Sequence, residues 1–420
     1  MDISIFSWIF AGIAGFLTLL IWYAGRNDDY WKKRGVPHVP RKNFFARLYE
    51  MNKKGMAGLV KDLGLSKLGR VYGTFEGSKP VVIVTDPDLL RDILVKDFHV
   101  FPYRRVSNIG DPVADSVVMN LTGDDWKRVR TIITPAFTSK RMRQGATIFK
   151  FRRREAIKAP DNMGKEGLQS AFKSLLEENR DITEDETDRF GSIISNGIAP
   201  PTQKYKKLSE TELLAQCVLF FLVGYETTAT VLTFSAYSLA VNPEWQEKLI
   251  KEVDEAFEKH SEMSYDSVRD MKILDAVVSE TLRMHPPLAS TERAAVEDYE
   301  LGNTGVLVEK GMHVLIPIYG MHYDPEFFED PEIFKPERFM DFSDPKHPQY
   351  AYLPFGMGPR NCLGMRFALL EIKVCLANLL HRYRLKPHSS TKVPLEYKKG
   401  LVLLTVTELP LILEKRTDVK

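Results

Sequence analysis

Apolar and polar positions divide this chain into a charge-free leader, a mixed front third, a charged middle and a long apolar-rich remainder. Ile3 to Ala24 is a 22-residue run without a charged side chain, long enough to cross a bilayer as a helix. Asp2 precedes it, and Arg26, Lys32, Lys33 and Arg34 follow. A cleavable signal peptide carries its basic residues ahead of a shorter apolar core. The order of charges therefore predicts an uncleaved anchor over residues 1–25, with a buried core helix as the alternative. The excess of Lys and Arg behind the run predicts that the bulk of the chain stays cytosolic. Trp8, Trp22, Tyr23, Tyr30 and Trp31 fall near the expected interfaces. Residues 26–40, with Gly35-Val-Pro37-His-Val-Pro40, read as a basic, proline-stiffened linker, and residues 41–420 as one folded unit.

Past the linker, turn residues and periodicity set the elements. Arg70 to Phe75 and Pro80 to Thr85 read as short strands, and Pro87 opens a helix. Asp124 to Arg130 predicts a helix start, broken by Pro135. Residues 145–207 are charged and irregular, apart from Leu168, Phe172, Leu175 and Leu176 at helical spacing. Ser209-Glu-Thr-Glu212 matches a capping box and opens a long helix toward Pro243. Helices over 244–258 and 266–285 follow, then a β-rich, proline-rich stretch over 288–354 and a helix from Met365 to Tyr383. Gly400 to Glu414 alternates like a terminal hairpin. The fold class expected is mainly α with small β-sheets.

The long helix admits two readings. From Leu213 to Val241 it is apolar except for Gln216, Glu226 and several hydroxyls. Its charge lies in mid-segment, at Gly224-Tyr-Glu226-Thr227-Thr228, where an ionised group in lipid is costly and marks function. No basic flank supports a second crossing. The pattern favours a buried central helix with a polar break, at which Thr227 bonds back to the carbonyl one turn earlier and distorts the helix.

Composition narrows the class without choosing a function. With 420 residues, 44% apolar and 27% charged, the chain buries a large core and is not globally disordered. A net charge of +2 gives no support for nucleic-acid binding. Cys217, Cys362 and Cys375 are widely spaced and form no C-x-x-C, against a disulfide framework and against zinc.

Cys362 has the most informative surroundings: Phe355-Gly-Met-Gly358-Pro-Arg360-Asn-Cys362-Leu-Gly364. A cysteine at a helix start meets unpaired N–H groups and the positive end of the dipole, both of which favour thiolate. The glycines let the backbone approach a bulky planar group, and Arg360 can face an anionic edge. Thiolate, clearance and an arginine for carboxylates are what axial ligation of haem iron requires. The bland alternative is a glycine-rich loop ahead of an ordinary helix. A phosphate cradle fails, because no Lys-Ser/Thr pair follows the glycines. Glu280-Thr-Leu-Arg283 forms a second cluster, with both charges on one helix face. Glu186-Thr-Asp-Arg189 has the same spacing, but only Glu280 follows an apolar stretch, Ile273 to Val278. Arg338 is the candidate third member, since a buried ion pair needs further hydrogen bonds.

Together, and in this order, these motifs resemble the cytochrome P450 superfamily, and within it the microsomal, xenobiotic-oxidising branch of animal family three and insect family six. F-x-x-G-x-R-x-C-x-G falls at Phe355, Gly358, Arg360, Cys362 and Gly364; E-x-x-R at Glu280 and Arg283; W-x-x-x-R at Trp126 and Arg130; the oxygen-activating helix motif at Gly224 to Thr227. The resemblance implies haem b, with Cys362 as its axial ligand and Phe355 shielding the sulfur. Arg104, Trp126, Arg130, Arg293 and Arg360 would hold the propionates. Glu226 and Thr227 would be catalytic, relaying protons to bound dioxygen, while Glu280, Arg283 and Arg338 brace the proximal side. It further implies NADPH electrons from cytochrome P450 reductase, cytochrome b5 as a second partner, a lipophilic substrate and the endoplasmic reticulum membrane.

Two departures stand out. Val223 occupies a position where the family has alanine or glycine, which would crowd the distal pocket. The second is the length of residues 144–207. Four helices and their connections need on the order of 140 residues, and this stretch has 64. The pocket roof is therefore expected to be incomplete. A catalytically impaired, haem-binding form stands beside the active monooxygenase as the alternative.

Overall fold

The computed structural model describes residues 27–42, 44–105, 109–137, 207–260, 263–341, 345–399 and 403–418, with Trp8, 10–13, 15–16 and Thr18. Helices α1 (Tyr30–Lys33) and α2 (Phe44–Gly64) lead into strands β1 (Val71–Glu76) and β2 (Lys79–Val84). These pair antiparallel, Val71 opposite Val84 and Glu76 opposite Lys79. At α3 (Pro87–Arg91) the Asp86 carboxylate accepts from the N–H groups of Asp88 and Leu89 at 2.9 and 3.0 Å, capping the first turn. After α4 (Pro112–Asp115) and α5 (Gly123–Ile133), a 3₁₀ turn at Thr134–Phe137 follows around Pro135.

The central helix is α6 (Glu210–Val241), and its capping box forms as the pattern predicts: the Glu212 N–H donates to Ser209 Oγ, and the Ser209 N–H to Glu212 Oε2. Next come α7 (Pro243–His260), α8 (Tyr265–Arg269) and α9 (Lys272–Met284). Strands β3 (Thr291–Ala294), β4 (Tyr299–Glu300), β5 (Leu307–Val308) and β6 (His313–Ile316) precede α10 (Ile318–Met321) and α11 (Met365–Arg382). Strands β7 (Tyr383–Pro387) and β8 (Leu411–Lys415) finish the chain. The largest sheet has the order β1-β2-β6-β3, in which β2 and β6 run parallel. Helical elements dominate, with one four-stranded and two two-stranded sheets, the mainly α class with small sheets.

Two large apolar clusters organise this body. One joins Trp31, Val82, Leu94, Phe101, Val314, Phe328 and Leu353 around the four-stranded sheet. The other joins Val231, Leu249, Leu274, Val278, Ile372 and Leu376 between α6, α7, α9 and α11. The cysteine loop touches both, since Met357 packs on the first and Phe355 on the second.

Four expectations need revision. Residues 30–39 are part of the body rather than a linker. Trp31 is fully buried, and its indole Nε1 donates to the Thr74 carbonyl at 2.9 Å. The main chain of Val39 and Pro37 also pairs with Gly73. A buried tryptophan contributes more apolar area than a mere tether requires. The tail is not a hairpin of its own, because β8 returns to β7 with Tyr383 opposite Lys415. Helix α6 is buried only where partners exist: Val231, Phe234, Tyr237 and Leu239 are covered, while Phe221, Leu222 and Tyr225 are 60%, 59% and 75% exposed. Its backbone also stays α-helical through Thr227, so the expected distortion is absent. Among the described residues α6 is long and apolar enough to cross a bilayer, yet its C-terminal half packs into the body.

Some expectations fall on other positions. Of the expected anchor, Trp8, Phe10 and Phe16 lie on helical backbone and are exposed; the rest of residues 1–26 lies largely outside the described residues. So do residues 138–206, with the Leu168–Leu176 pattern and Glu186–Arg189.

Candidate active site

The loop before α11 is shaped by its glycines. Gly356 and Gly358 take φ of +68° and +74°, a region open to glycine and strained for other residues. At Gly358 a Cβ would stand 1.9 Å from the Leu94 carbonyl oxygen, so the turn fits only without a side chain. The loop closes on itself: the Cys362 N–H donates to the Phe355 carbonyl at 2.8 Å, and the Asn361 N–H to the Gly358 carbonyl at 3.0 Å. Gly364 caps α11, so Cys362 stands two residues ahead of the cap, where the Gly364 N–H favours the charged sulfur. Burial pushes the Cys362 thiol up, against that N–H and the charges of Arg130 and Arg104. The Gly364 N–H and the two guanidiniums act on the sulfur in the direction expected at a helix start, each favouring the charged form.

Around the loop stand four arginines from four segments. Arg104 follows the bridge between Tyr103 and Ala294, Arg130 lies in the last turn of α5, Arg293 lies on β3, and Arg360 is in the loop itself. Arg104 Nη2 donates to the Arg360 carbonyl at 2.9 Å. Arg360 donates to the carbonyls of Pro102 and Leu121 at 3.0 and 2.8 Å, with its guanidinium 4.1 Å over the Trp126 ring, a cation–π contact. Arg130 Nη2 donates to the Asn361 carbonyl at 3.1 Å and to Asn361 Oδ1 at 2.9 Å. Arg293 is fully buried and holds only the Glu292 carbonyl and Thr291 Oγ1.

Electrostatically this cage is incomplete. Among the described residues no carboxylate pairs with any of the four arginines; Glu292, the nearest acid, serves Arg105 at 2.9 Å and His313 at 3.6 Å. Burial, then the charge of Arg104, then that of Arg130, pulls Arg360 down to about 9. Burial brings Arg130 down to about 10, with Arg104 adding to it, and drives Arg293 well below its usual value. Nε of Arg104 and both Nε and Nη2 of Arg293 are buried without partners. Buried guanidiniums in this state call for anionic oxygen. The residues present therefore fit a group with carboxylates at its edge and a face turned to sulfur, which describes haem.

The Glu280 cluster lies behind the loop. Arg283 Nε and Nη2 donate to Glu280 Oε2 and Oε1 at 2.7 and 2.9 Å, with both side chains fully buried. Glu280 Oε1 also accepts the Lys335 N–H at 2.8 Å and faces Arg338 Nε at 3.4 Å. Arg283 Nη1 donates to the His322 carbonyl at 2.7 Å. His322 Nε2 accepts the Leu353 N–H at 3.0 Å, which leaves Nδ1–H to donate to the Arg283 carbonyl at 3.0 Å. Leu353 opens the cysteine loop, so the ion pair holds that loop through His322.

A hydrogen bond and a ring contact join Arg104, Arg360 and Trp126, while Arg130 bonds Asn361 beside Cys362, and Arg293 feels the charges of Arg104 and Arg360. Glu280, Arg283 and Arg338 form one cluster. Glu226 and Thr227 stand apart on α6: Thr227 Oγ1 donates to the Val223 carbonyl at 2.7 Å, as the sequence pattern predicts, and Glu226 is exposed. Val223 is itself exposed and crowds no described neighbour. Three residues escaped the sequence reading: His322, Asn361 and the clamp function of Gln216, whose amide bonds Val118 N–H and the Ser116 carbonyl. Only Gln216 gave a signal, as a lone polar side chain in an apolar run.

A mainly helical body with a cysteine loop and a cage of buried guanidiniums defines a prosthetic-group protein. The family model described as Cytochrome P450 matches residues 37–196 and 167–413. Cytochrome P450 3A31 of Mesocricetus auratus is 30% identical over 494 residues, covering 98% of this chain and 97% of the relative. Cytochrome P450 3A5 of Homo sapiens is 31% identical over 480 residues, 94% of each chain. Cytochrome P450 9e2 of Blattella germanica is 29% identical over 529 residues, 99% of each chain. The chain belongs to the cytochrome P450 family, and its relatives lie in the vertebrate and insect branch that the motifs indicate. The cofactor of that family is haem, its iron bound by a cysteine thiolate. These alignments are longer than the 420-residue chain, so gaps fall on its side.

Proposed function

We propose that the chain is a haem-thiolate monooxygenase that inserts one oxygen atom from dioxygen into a lipophilic small molecule. The observation that carries this reading is the glycine-cut loop of Cys362 beside the buried Arg130, Arg293 and Arg360 and the half-buried Arg104, none with a carboxylate partner among the described residues. Cys362 supplies Sγ to the iron. Arg104, Arg130, Arg293 and Arg360, with Trp126, hold the two carboxylates, and Phe355, Gly358 and Gly364 give the sulfur its shield and clearance. The bound haem supplies dioxygen activation, which thiolate ligation favours. On α6, Thr227 Oγ1 donates to the Val223 carbonyl and the neighbouring Glu226 is exposed; together they would relay protons toward the bound haem. Glu280, Arg283 and Arg338 brace the loop.

In this reading residues 1–25 anchor the protein in the endoplasmic reticulum membrane with the catalytic body cytosolic. NADPH electrons arrive through cytochrome P450 reductase, with cytochrome b5 as a second donor. The gap against the relatives falls in residues 144–207, at the expense of the roof helices. Reduction of the purified protein under carbon monoxide tests the central claim: a thiolate-type Soret band supports it, and its absence overturns it.

A second reading, haem binding with impaired turnover, is favoured by the bare midsection of α6, where Phe221, Leu222 and Tyr225 are exposed. A pocket open to water orients substrate poorly. With reductase, NADPH and lipophilic probes, hydroxylated product supports the first reading; NADPH consumption without product supports the second.

A further inference from the structure

Arg130 reaches the cysteine loop through a single nitrogen. Its Nη2 donates to both the main-chain carbonyl and Oδ1 of Asn361, at 3.1 and 2.9 Å. Among the described residues these are the only hydrogen bonds of its guanidinium, so Nε and Nη1 remain for another acceptor. Both residues are buried, Arg130 at 6% and Asn361 at 5% exposure. Asn361 is itself held by its N–H on the Gly358 carbonyl, and the next residue is Cys362. Arg104 and Arg360, by contrast, bond only main-chain carbonyls.

We propose that Asn361 is a positioning residue, whose amide oxygen aims the Arg130 guanidinium at a haem carboxylate and ties it to the segment that carries Cys362. This rests on the haem site proposed above. The amide suits the task chemically. An aspartate would satisfy the same nitrogen but neutralise the guanidinium, which would then bind an external carboxylate more weakly. An alanine would leave a buried charged donor with the main-chain carbonyl alone. Asparagine accepts the bond and leaves the whole positive charge for the ligand. One amide thus couples two parts of the site, the sulfur and the carboxylate clamp, that arise from segments far apart in sequence.

The test follows haem transfer from the loaded full-length protein to an excess of apo-globin. Asn361→Ala is expected to lose haem about tenfold faster than the natural protein, with a weaker hydrogen-bonding shift of the propionate bending band in resonance Raman spectra. In an Arg130→Ala background the same change is expected to add less than about twofold, because the residue acts through Arg130. Asn361→Asp, near-isosteric, is expected to keep the thiolate-type band and still release haem faster; it carries the test if the alanine variant does not fold. Unchanged retention in these variants overturns the proposal, as does an equal acceleration in both backgrounds, which would mark general loosening. A natural protein without any thiolate-type band overturns the haem reading and this proposal with it; a loaded protein indifferent to residue 361 overturns the proposal alone.

Discussion

The surroundings of Glu280 and the midsection of α6 follow opposite rules. Glu280 and Arg283 are fully buried, and their carboxylate and guanidinium are bound by Lys335, Arg338 and the His322 and Ile333 carbonyls. Between Val218 and Tyr225, α6 presents several large apolar side chains outward, and its polar ties to other segments lie earlier, at Glu212 with Arg128 and at Gln216 with Val118. The first region is a closed polar network in a low-dielectric setting, where each member depends on the others. The second packs on one face only, through Leu219 and Phe220 against the cluster around Trp126, and leaves the other face bare among the described residues. In the proposed function, binding the prosthetic group and turning over substrate would be separable demands, met by different parts of one chain.

Four changes break or sharpen this contrast. The largest effect is expected from Cys362→Ser, which removes the sulfur on which the site is centred; the thiolate-type band of the reduced carbon monoxide complex should vanish, and its survival would refute the site. Next comes Arg283→Ala, which strands the Glu280 carboxylate in the interior and should cost about 3–5 kcal/mol of unfolding free energy in urea titrations. A loss near zero would show that the network does not hold the loop.

Acid should separate the regions less sharply. Burial and then the Arg283 charge push His322 down to about 3 from 6.5, and His285 likewise. Below about pH 6.5 the unfolded chain takes up protons that the folded chain refuses. The stabilisation is thus complete above that pH and is lost as pH falls toward 3, at roughly 1.4 kcal/mol per pH unit for each histidine. Unfolding curves at successive pH values measure the slope, which His322→Gln should reduce; an unchanged slope would remove His322 from this account. The smallest effect belongs to α6: Phe221→Ser or Tyr225→Ser should alter stability by no more than about 0.5 kcal/mol, and a loss of several times that would reveal a cover over this face.

Much of the proximal side was legible because its chemistry is local. Glycines at Gly356 and Gly358, the three-residue spacing of Glu280 and Arg283 and the Ser209–Glu212 box are statements about neighbouring residues, and a sequence preserves neighbours. His322 and Asn361 were not legible, since each acts on a partner far away, Leu353 and Arg130 respectively, and neither sits in a periodic pattern. The halves of α6 failed for a related reason. Its composition is uniformly apolar, whereas burial depends on which other elements arrive, and α7, α9 and α11 pack around only one end. The pairing of β7 with β8 was hidden in the same way, because strand alternation states a face and not a partner.

Trp31 leaves no swivel at the front of the molecule. Its ring fills the space above Gly73, where even a methyl group would stand 2.3 Å from the indole, and its N–H grips the first strand of the main sheet. Residues 30–39 therefore turn with the sheet as one piece, and a push on any of them is felt at Thr74 and Gly73.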